Sequence, residues 1–479
     1  MAGIGFELKN LFNHRTAAGY LKAYSYSAVV TAGPFAMMTG MVLAIQLMFR
    51  YFDVSYLESQ VYTASVIYPF VFSNIISSGF IMVITRYLAD QLYGKSYRNI
   101  YPSIFGMGFL LMLAGSFFAV LFFWNKPLEL SLKLYTYVFY MEMLLVWLEG
   151  VYLTAVKDYK GILLTYGIGV GISILLALLV LVTGVLAPAK GAMLAMDIGA
   201  AYIVMMFLLL IRRFFGCEEG GRNFDFLSYF GQHQRLFFIA LFYTTGLYLP
   251  NILIWRSELA VWIADTYVYS PAYDVATFYA FLSVVPVMIM FVVSMELSFY
   301  KKYAVYFTCI TQKGDLREIE DVKQDLLHTM WFELRNIMEF QLVFTLIFLA
   351  LGNYFLPKAG LAFNSVDMYN LIVLGAYFTG IMQVIYTLLL YFEDQQGVLR
   401  IAACFLLSNL LFGGVGLWIG EESFGFTFFL AAALTVVLAV CRVLYFCRRL
   451  DYFVFCSRPV FYAEENGVFA CIQSWIYKD

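Results

Sequence analysis

The stretch GILLTYGIGVGISILLALLVLVTGVL, Gly161 to Leu186, runs for 26 residues without one charged side chain. As an α-helix it reaches roughly 39 Å, enough to cross a hydrocarbon core of about 30 Å. Eleven runs of the same character lie on either side of it: Ala23 to Phe49, Tyr62 to Ile84, Ile100 to Trp124, Lys133 to Val156, Gly191 to Ile211, Leu236 to Trp255, Thr277 to Tyr300, Asn336 to Leu356, Val366 to Phe392, Ile401 to Ile419 and Phe424 to Cys447. Each exceeds the roughly 9 to 11 residues that a barrel strand needs, so all are read as helices. Hydrophobic residues make up 62% of the chain and charged residues 13%, which leaves no surface for a water-soluble globule. The expected class is all-α and integral to a membrane.

Lysine and arginine set the predicted orientation. Of 30, all but Arg50, Lys126, Lys133, Lys190, Arg256 and Lys358 fall on the side that carries both termini, which predicts cytoplasmic termini. All seven cysteines lie on that side or within spans, so no outer disulfide is expected. The first apolar run is span-length and lacks a small-residue cleavage pattern, which predicts no cleavable signal. Ile4, Leu8, Leu11 and Phe12 predict a short amphipathic helix within a cytoplasmic segment 1–22.

The expected organisation is a six-helix lobe at 23–211, a polar linker at 212–235, a second six-helix lobe at 236–447 and a cytoplasmic tail at 448–479. Within the second lobe, 301–335 reads as one or two amphipathic cytoplasmic helices, either a solvated surface or a docking surface built on Lys301 and Lys302, with Arg86 in the matching segment of the first lobe. Proline spacing supports a repeat. Pro34 and Pro250 are 216 residues apart and Pro69 and Pro286 are 217 apart, placing bends in the first two helices of each lobe.

Ionisable residues inside apolar spans carry the sharpest functional signal, because each costs about 2.5 to 3.5 kcal/mol to insert. Glu142 and Glu149 in the fourth span, Asp197 in the sixth and Glu296 near the end of the eighth have no evident cationic neighbour. They are read as the acidic lining of a water-filled path that takes a coupling ion, H+ or Na+, or a cationic cargo; the alternative is protonated carboxyls in helix packing. Between the seventh and eighth spans, Trp262, Asp265, Tyr267 and Tyr269 suit either an interfacial aromatic belt or an outer contact with an amino sugar. Gly94-Lys95-Ser96 lacks the first glycine of a phosphate-binding loop, since position 89 is alanine. Gly167, Gly169 and Gly171 suit close helix packing better than nucleotide binding. His14, His233 and His328 lack ligand spacing, so no metal site, cofactor or nucleic-acid partner is expected.

The opening Met1-Ala2-Gly3-Ile4-Gly5-Phe6-Glu7-Leu8-Lys9, the run Ala32-Gly33-Pro34, the segment from Thr85 to Tyr93 (TRYLADQLY) and the stretch Met295-Glu296-Leu297-Ser298-Phe299-Tyr300 resemble the PelG family. The resemblance implies two pseudo-symmetric six-helix lobes around a central cavity, as in multidrug/oligosaccharidyl-lipid/polysaccharide exporters. It also implies a polysaccharide substrate rich in partly deacetylated N-acetylgalactosamine, a PelF-like cytoplasmic glycosyltransferase and other Pel membrane subunits. The expected function is polysaccharide export, with no catalysis by the chain itself. A cation-coupled multidrug antiporter of the same fold, a membrane glycosyltransferase and a noncatalytic assembly subunit are the alternatives.

Overall fold

A computed structural model describes residues 17–156, 158–216, 220–294, 298–312 and 314–453, with positions 469, 473, 475 and 476. The expectations at Ile4, Leu8, Leu11, Phe12, Cys217 and Glu296, and most of those for the tail, fall outside the described residues. Among the described residues, twelve helices are long and apolar enough to cross a bilayer. The protein is an all-α polytopic membrane protein.

Helices α1 (Ala17–Tyr51), α2 (Tyr56–Tyr93), α3 (Ile100–Phe123), α4 (Leu130–Val156), α5 (Tyr159–Thr183) and α6 (Pro188–Phe215) come first. A short α7 (Leu227–Gln232) leads into α8 (Gln234–Ile254). An antiparallel hairpin of β1 (Val261–Ile263) and β2 (Tyr267–Tyr269) follows, pairing Val261 with Tyr269 and Ile263 with Tyr267. The eighth span is interrupted: α9 (Pro271–Phe281), a 3-10 turn (Leu282–Val284) and α10 (Val285–Ser294). Then come α11 (Tyr300–Thr311), α12 (Leu316–Phe355), α13 (Phe363–Tyr391), α14 (Gln395–Ile419) and α15 (Phe424–Arg448).

Two compact units divide the chain. One, the N-unit, comprises Pro34–Tyr248, Ala260–Tyr269 and Val460–Asp479; the other, the C-unit, comprises Met1–Gly33, Leu249–Leu259 and Ser270–Pro459. The hairpin therefore belongs to the N-unit although the chain on both sides of it belongs to the C-unit. The chain also passes between units inside α1, at Pro34, and inside α8, beside Pro250. Pro69 sits within α2, whereas Pro286 is the second residue of α10, just after the 3-10 turn.

Helix ends follow from local chemistry. The quoted apolar stretch is α5, whose N-cap Asp158 accepts the Gly161 N–H at 3.0 Å and whose end is Gly184 in the left-handed region. Asp394 caps α14 in the same way, accepting the Gly397 N–H at 3.1 Å. This shared Asp-x-x-Gly start places equivalent caps on the fifth and eleventh spans. A side chain at either glycine would collide with the capping carboxylate.

In lipid, helices associate through close packing and internal hydrogen bonds, since the hydrophobic effect offers little between apolar surfaces already out of water. A Cβ on Gly169 of α5 would strike Ile203 of α6, and one on Gly199 would strike Ser173, so these two glycines let α5 and α6 touch. Gly167 and Gly171, expected to do the same, face open space. The buried tyrosines of the N-unit add interhelical bonds: Tyr62 Oη to Met196 Sδ at 3.0 Å and Tyr152 Oη with Ser103 Oγ at 2.7 Å. Helix α4 is the most enclosed of the N-unit, with 50% of its apolar window buried, and α13 that of the C-unit, with 61%. They are the fourth and tenth spans, the same place in each set of six.

In the C-unit, α12 is one helix of 40 residues, roughly 60 Å long, where the sequence suggests a cytoplasmic element followed by a separate span. Its polar end is fastened by an ion pair between Lys302 and Asp325 and by another between Lys323 and Asp451 at 2.9 Å. Where the eighth span breaks, the Gln341 side-chain amide of α12 donates to the Ser283 carbonyl at 3.2 Å. Proline at 286 has no N–H to offer, and Gln341 meets part of that deficit from a neighbouring helix.

Candidate functional site

Helix α4 carries Glu142 and Glu149, seven residues apart and so on one face, and packs against α6, which carries Asp197. All three lie in the N-unit. Glu149 is 1% exposed and Asp197 6%. Neither oxygen of the Glu149 carboxyl has a hydrogen-bond partner, nor does Oε2 of Glu142 or Oδ1 of Asp197. No ion pair among the described residues involves any of them. Glu142 and Asp197 are carried by two helices that pack against each other. Glu149 lies two turns further along α4 and is the most deeply buried of the three. The tenth span, α13, which takes the place of α4 in the C-unit, has Asp367 near its first turn as its one ionisable acid and none deeper.

Other buried or half-buried carboxylates are engaged, and the contrast isolates the trio. Asp394 receives Arg442 through two bonds of 2.7 Å in addition to capping α14. Asp274 receives Asn251 at 2.7 Å, the Trp255 indole at 2.8 Å and the Ser270 N–H at 3.0 Å. Asp225 accepts from Asn99 at 2.9 Å and from Tyr87 at 3.4 Å. Of these three, sequence reading noted Asp274 alone, as an acid of the outer turn; for Asp394 the repeated Asp-x-x-Gly at 158 and 394 was the available signal.

The hairpin divides the four residues expected at the outer turn. Tyr267 is fully buried, in contact with Ser65 at 3.2 Å, and Tyr269 is 7% exposed. Trp262 is exposed, with the Lys126 ammonium 5.9 Å from its ring centre, and Asp265 sits at the exposed turn. Tyr68 of α2 holds the hairpin: its hydroxyl donates to the Val268 carbonyl at 2.6 Å and accepts the Val268 N–H at 2.9 Å. Of the three basic residues considered for docking, Lys301 is exposed, Lys302 is spent on Asp325, and Arg86 pairs with Asp90 at 3.3 Å.

Known proteins agree with this architecture. An outward-facing multidrug resistance MATE family transporter of the MOP superfamily superposes with a TM-score of 0.58 at 11% identity, covering 89% of this chain and 96% of that one. A mutant of the Vibrio cholerae MATE transporter VcmN gives 0.58 at 13% identity, covering 90% and 99%. A MOP superfamily transporter from Pyrococcus furiosus gives 0.51 at 13% identity, covering 89% and 96%. At such identities the likeness is one of fold. Among curated proteins, no sequence matches. The family profile of PelG, described as "Putative exopolysaccharide Exporter (EPS-E)", matches residues 1–455. That match spans nearly the whole chain, and the protein belongs to the PelG family of exopolysaccharide exporters.

Proposed function

We propose that this protein exports a cationic, amino-sugar-rich polysaccharide of the Pel type across the cell membrane, with both termini in the cytoplasm and the polymer delivered by a PelF-like glycosyltransferase and other Pel membrane subunits. The observation that carries the reading is the set of unpaired carboxyls at Glu142, Glu149 and Asp197. Buried acids without cations are expensive in a bilayer and persist where water, protons or a cationic cargo reach them. Sugar amines are such a cargo, and the exposed Trp262 with Asp265 offers a stacking face and an acid to the emerging chain. The exposed Lys301 and the fastened helices α11 and α12 form the docking surface for the synthase. Catalysis is left to that partner.

A second reading rests on the unpartnered carboxyl oxygens of Glu142 and Asp197 on two packed helices. Such a pair of acids would hold H+ or Na+ as a coupling ion. One experiment separates the two: export of extracellular polysaccharide by cells carrying Glu142→Gln, Asp197→Asn or Glu149→Gln, with membrane levels of the protein measured alongside. Loss of export at normal protein level supports a role in transport. Retention of export in the triple variant overturns it. A loss that tracks the pH or sodium gradient in reconstituted vesicles assigns the carboxyls to coupling instead of cargo.

A further inference from the structure

Helices α12 and α13 enclose an open groove of about 250 Å³ lined by Trp331, Leu334, Arg335, Met338, Glu339, Leu342 and Tyr377. All belong to the C-unit. Arg335 and Glu339 pair at 3.3 Å, and their side chains are 69% and 66% exposed. Residues 335, 339, 342 and 346 recur at helical spacing, so the charged pair continues the exposed apolar stripe of Leu342 and Leu346 toward the polar end of α12. The rest of the lining is apolar or aromatic: Leu334, Met338 and Leu342, with Trp331 one turn before Arg335 on α12 and Tyr377 on α13.

We propose that this groove holds one glycerophospholipid with a zwitterionic, ammonium-bearing headgroup, drawn from the leaflet on the lysine-rich side of the protein. Charge complementarity selects the occupant. A purely anionic headgroup meets Arg335 but is repelled by Glu339, whereas a phosphoethanolamine group sets its phosphate on the guanidinium and its ammonium on the carboxylate. One acyl chain then runs along Met338 and Leu342.

The test is native mass spectrometry of the full chain in mild detergent, titrated with phosphatidylethanolamine or phosphatidylglycerol. One phosphatidylethanolamine should stay bound about tenfold more tightly than phosphatidylglycerol, the worth of one charge-assisted contact. Glu339→Gln should erase or reverse that preference. Met338→Trp, which obstructs the acyl path and leaves the ion pair intact, should abolish retention while circular dichroism stays unchanged. Equal retention of the two lipids by the native protein, a preference that survives Glu339→Gln, or a groove found occupied by a copurifying membrane subunit would each overturn the proposal.

Discussion

Trp255 gives its indole N–H to Asp274 at 2.8 Å and so ties the end of α8 to the first turn of α9, across the root of the hairpin. Asn251 and the Ser270 N–H converge on the same carboxylate, which is thereby satisfied without a counter-charge. Removing it leaves three donors facing an empty space.

Asp274→Ala should destabilise the C-unit by about 3 kcal/mol, the penalty for several buried donors left unmet. Asp274→Asn should cost less, since one acceptor oxygen remains. Thermal unfolding of detergent-solubilised protein, followed by tryptophan fluorescence, gives the order of the two variants; a native-like midpoint for the alanine variant would contradict it.

A larger loss is expected at Asp394 and Arg442. Their bidentate pair is nearly dry, with side chains 4% and 17% exposed. Breaking one partner alone should cost about 3 to 5 kcal/mol, because the other charge is left buried. Arg442→Lys should not restore stability, as an ammonium cannot match both carboxylate oxygens. A double-mutant cycle with Asp394→Asn and Arg442→Gln checks the coupling, which should make the double variant more stable than the sum of the singles.

Glu142→Gln and Asp197→Asn should each reduce polymer export, and the pair together should reduce it little further if both carboxyls serve one site at the α4–α6 contact. Glu149→Gln, two turns along α4 from Glu142, should add its effect independently. Quantified extracellular polysaccharide, normalised to protein in the membrane, distinguishes the two patterns; strictly multiplicative effects for Glu142 and Asp197 would rule out their acting as a unit.

The hairpin gives a fourth case. Tyr68→Phe deprives both the N–H and the carbonyl of Val268 of their partner and should loosen the hairpin by about 2 kcal/mol. Ala264 and Asp265 both adopt φ of +46° at its turn, a region where an L side chain is strained by roughly 1 kcal/mol or more. Ala264→Gly should therefore tighten what Tyr68→Phe loosens. Limited proteolysis at the turn reads both effects, with cleavage faster in the first variant and slower in the second.

Length and apolarity made the spans legible, as Gly161 to Leu186 illustrates: a run with no charge has one home. The continuity of α12 was also legible in principle, for no proline and no glycine interrupts Leu316 to Leu351, but its charges suggested an element in water distinct from the span. The break in the eighth span was half visible. Pro286 marks it, yet the deficit appears upstream at Ser283 and is met by Gln341, more than fifty residues away. The hairpin was hidden because Trp262, Tyr267 and Tyr269 look like an interfacial belt and its turn carries neither glycine nor asparagine. At the candidate site, the shared face of Glu142 and Glu149 followed from their spacing; that the helix carrying them packs against the helix carrying Asp197 is a tertiary choice, which no local pattern encodes.

The hairpin also constrains how such genes recombine. A crossover in the polar connection after α6 would take the seat of the hairpin, at Ser65 and Tyr68, from one parent and the hairpin itself from the other. Shuffled offspring would inherit a mismatched joint unless both parents kept the same tyrosine hydroxyl opposite the same strand. The halves of this protein are thus heritable only as a matched set.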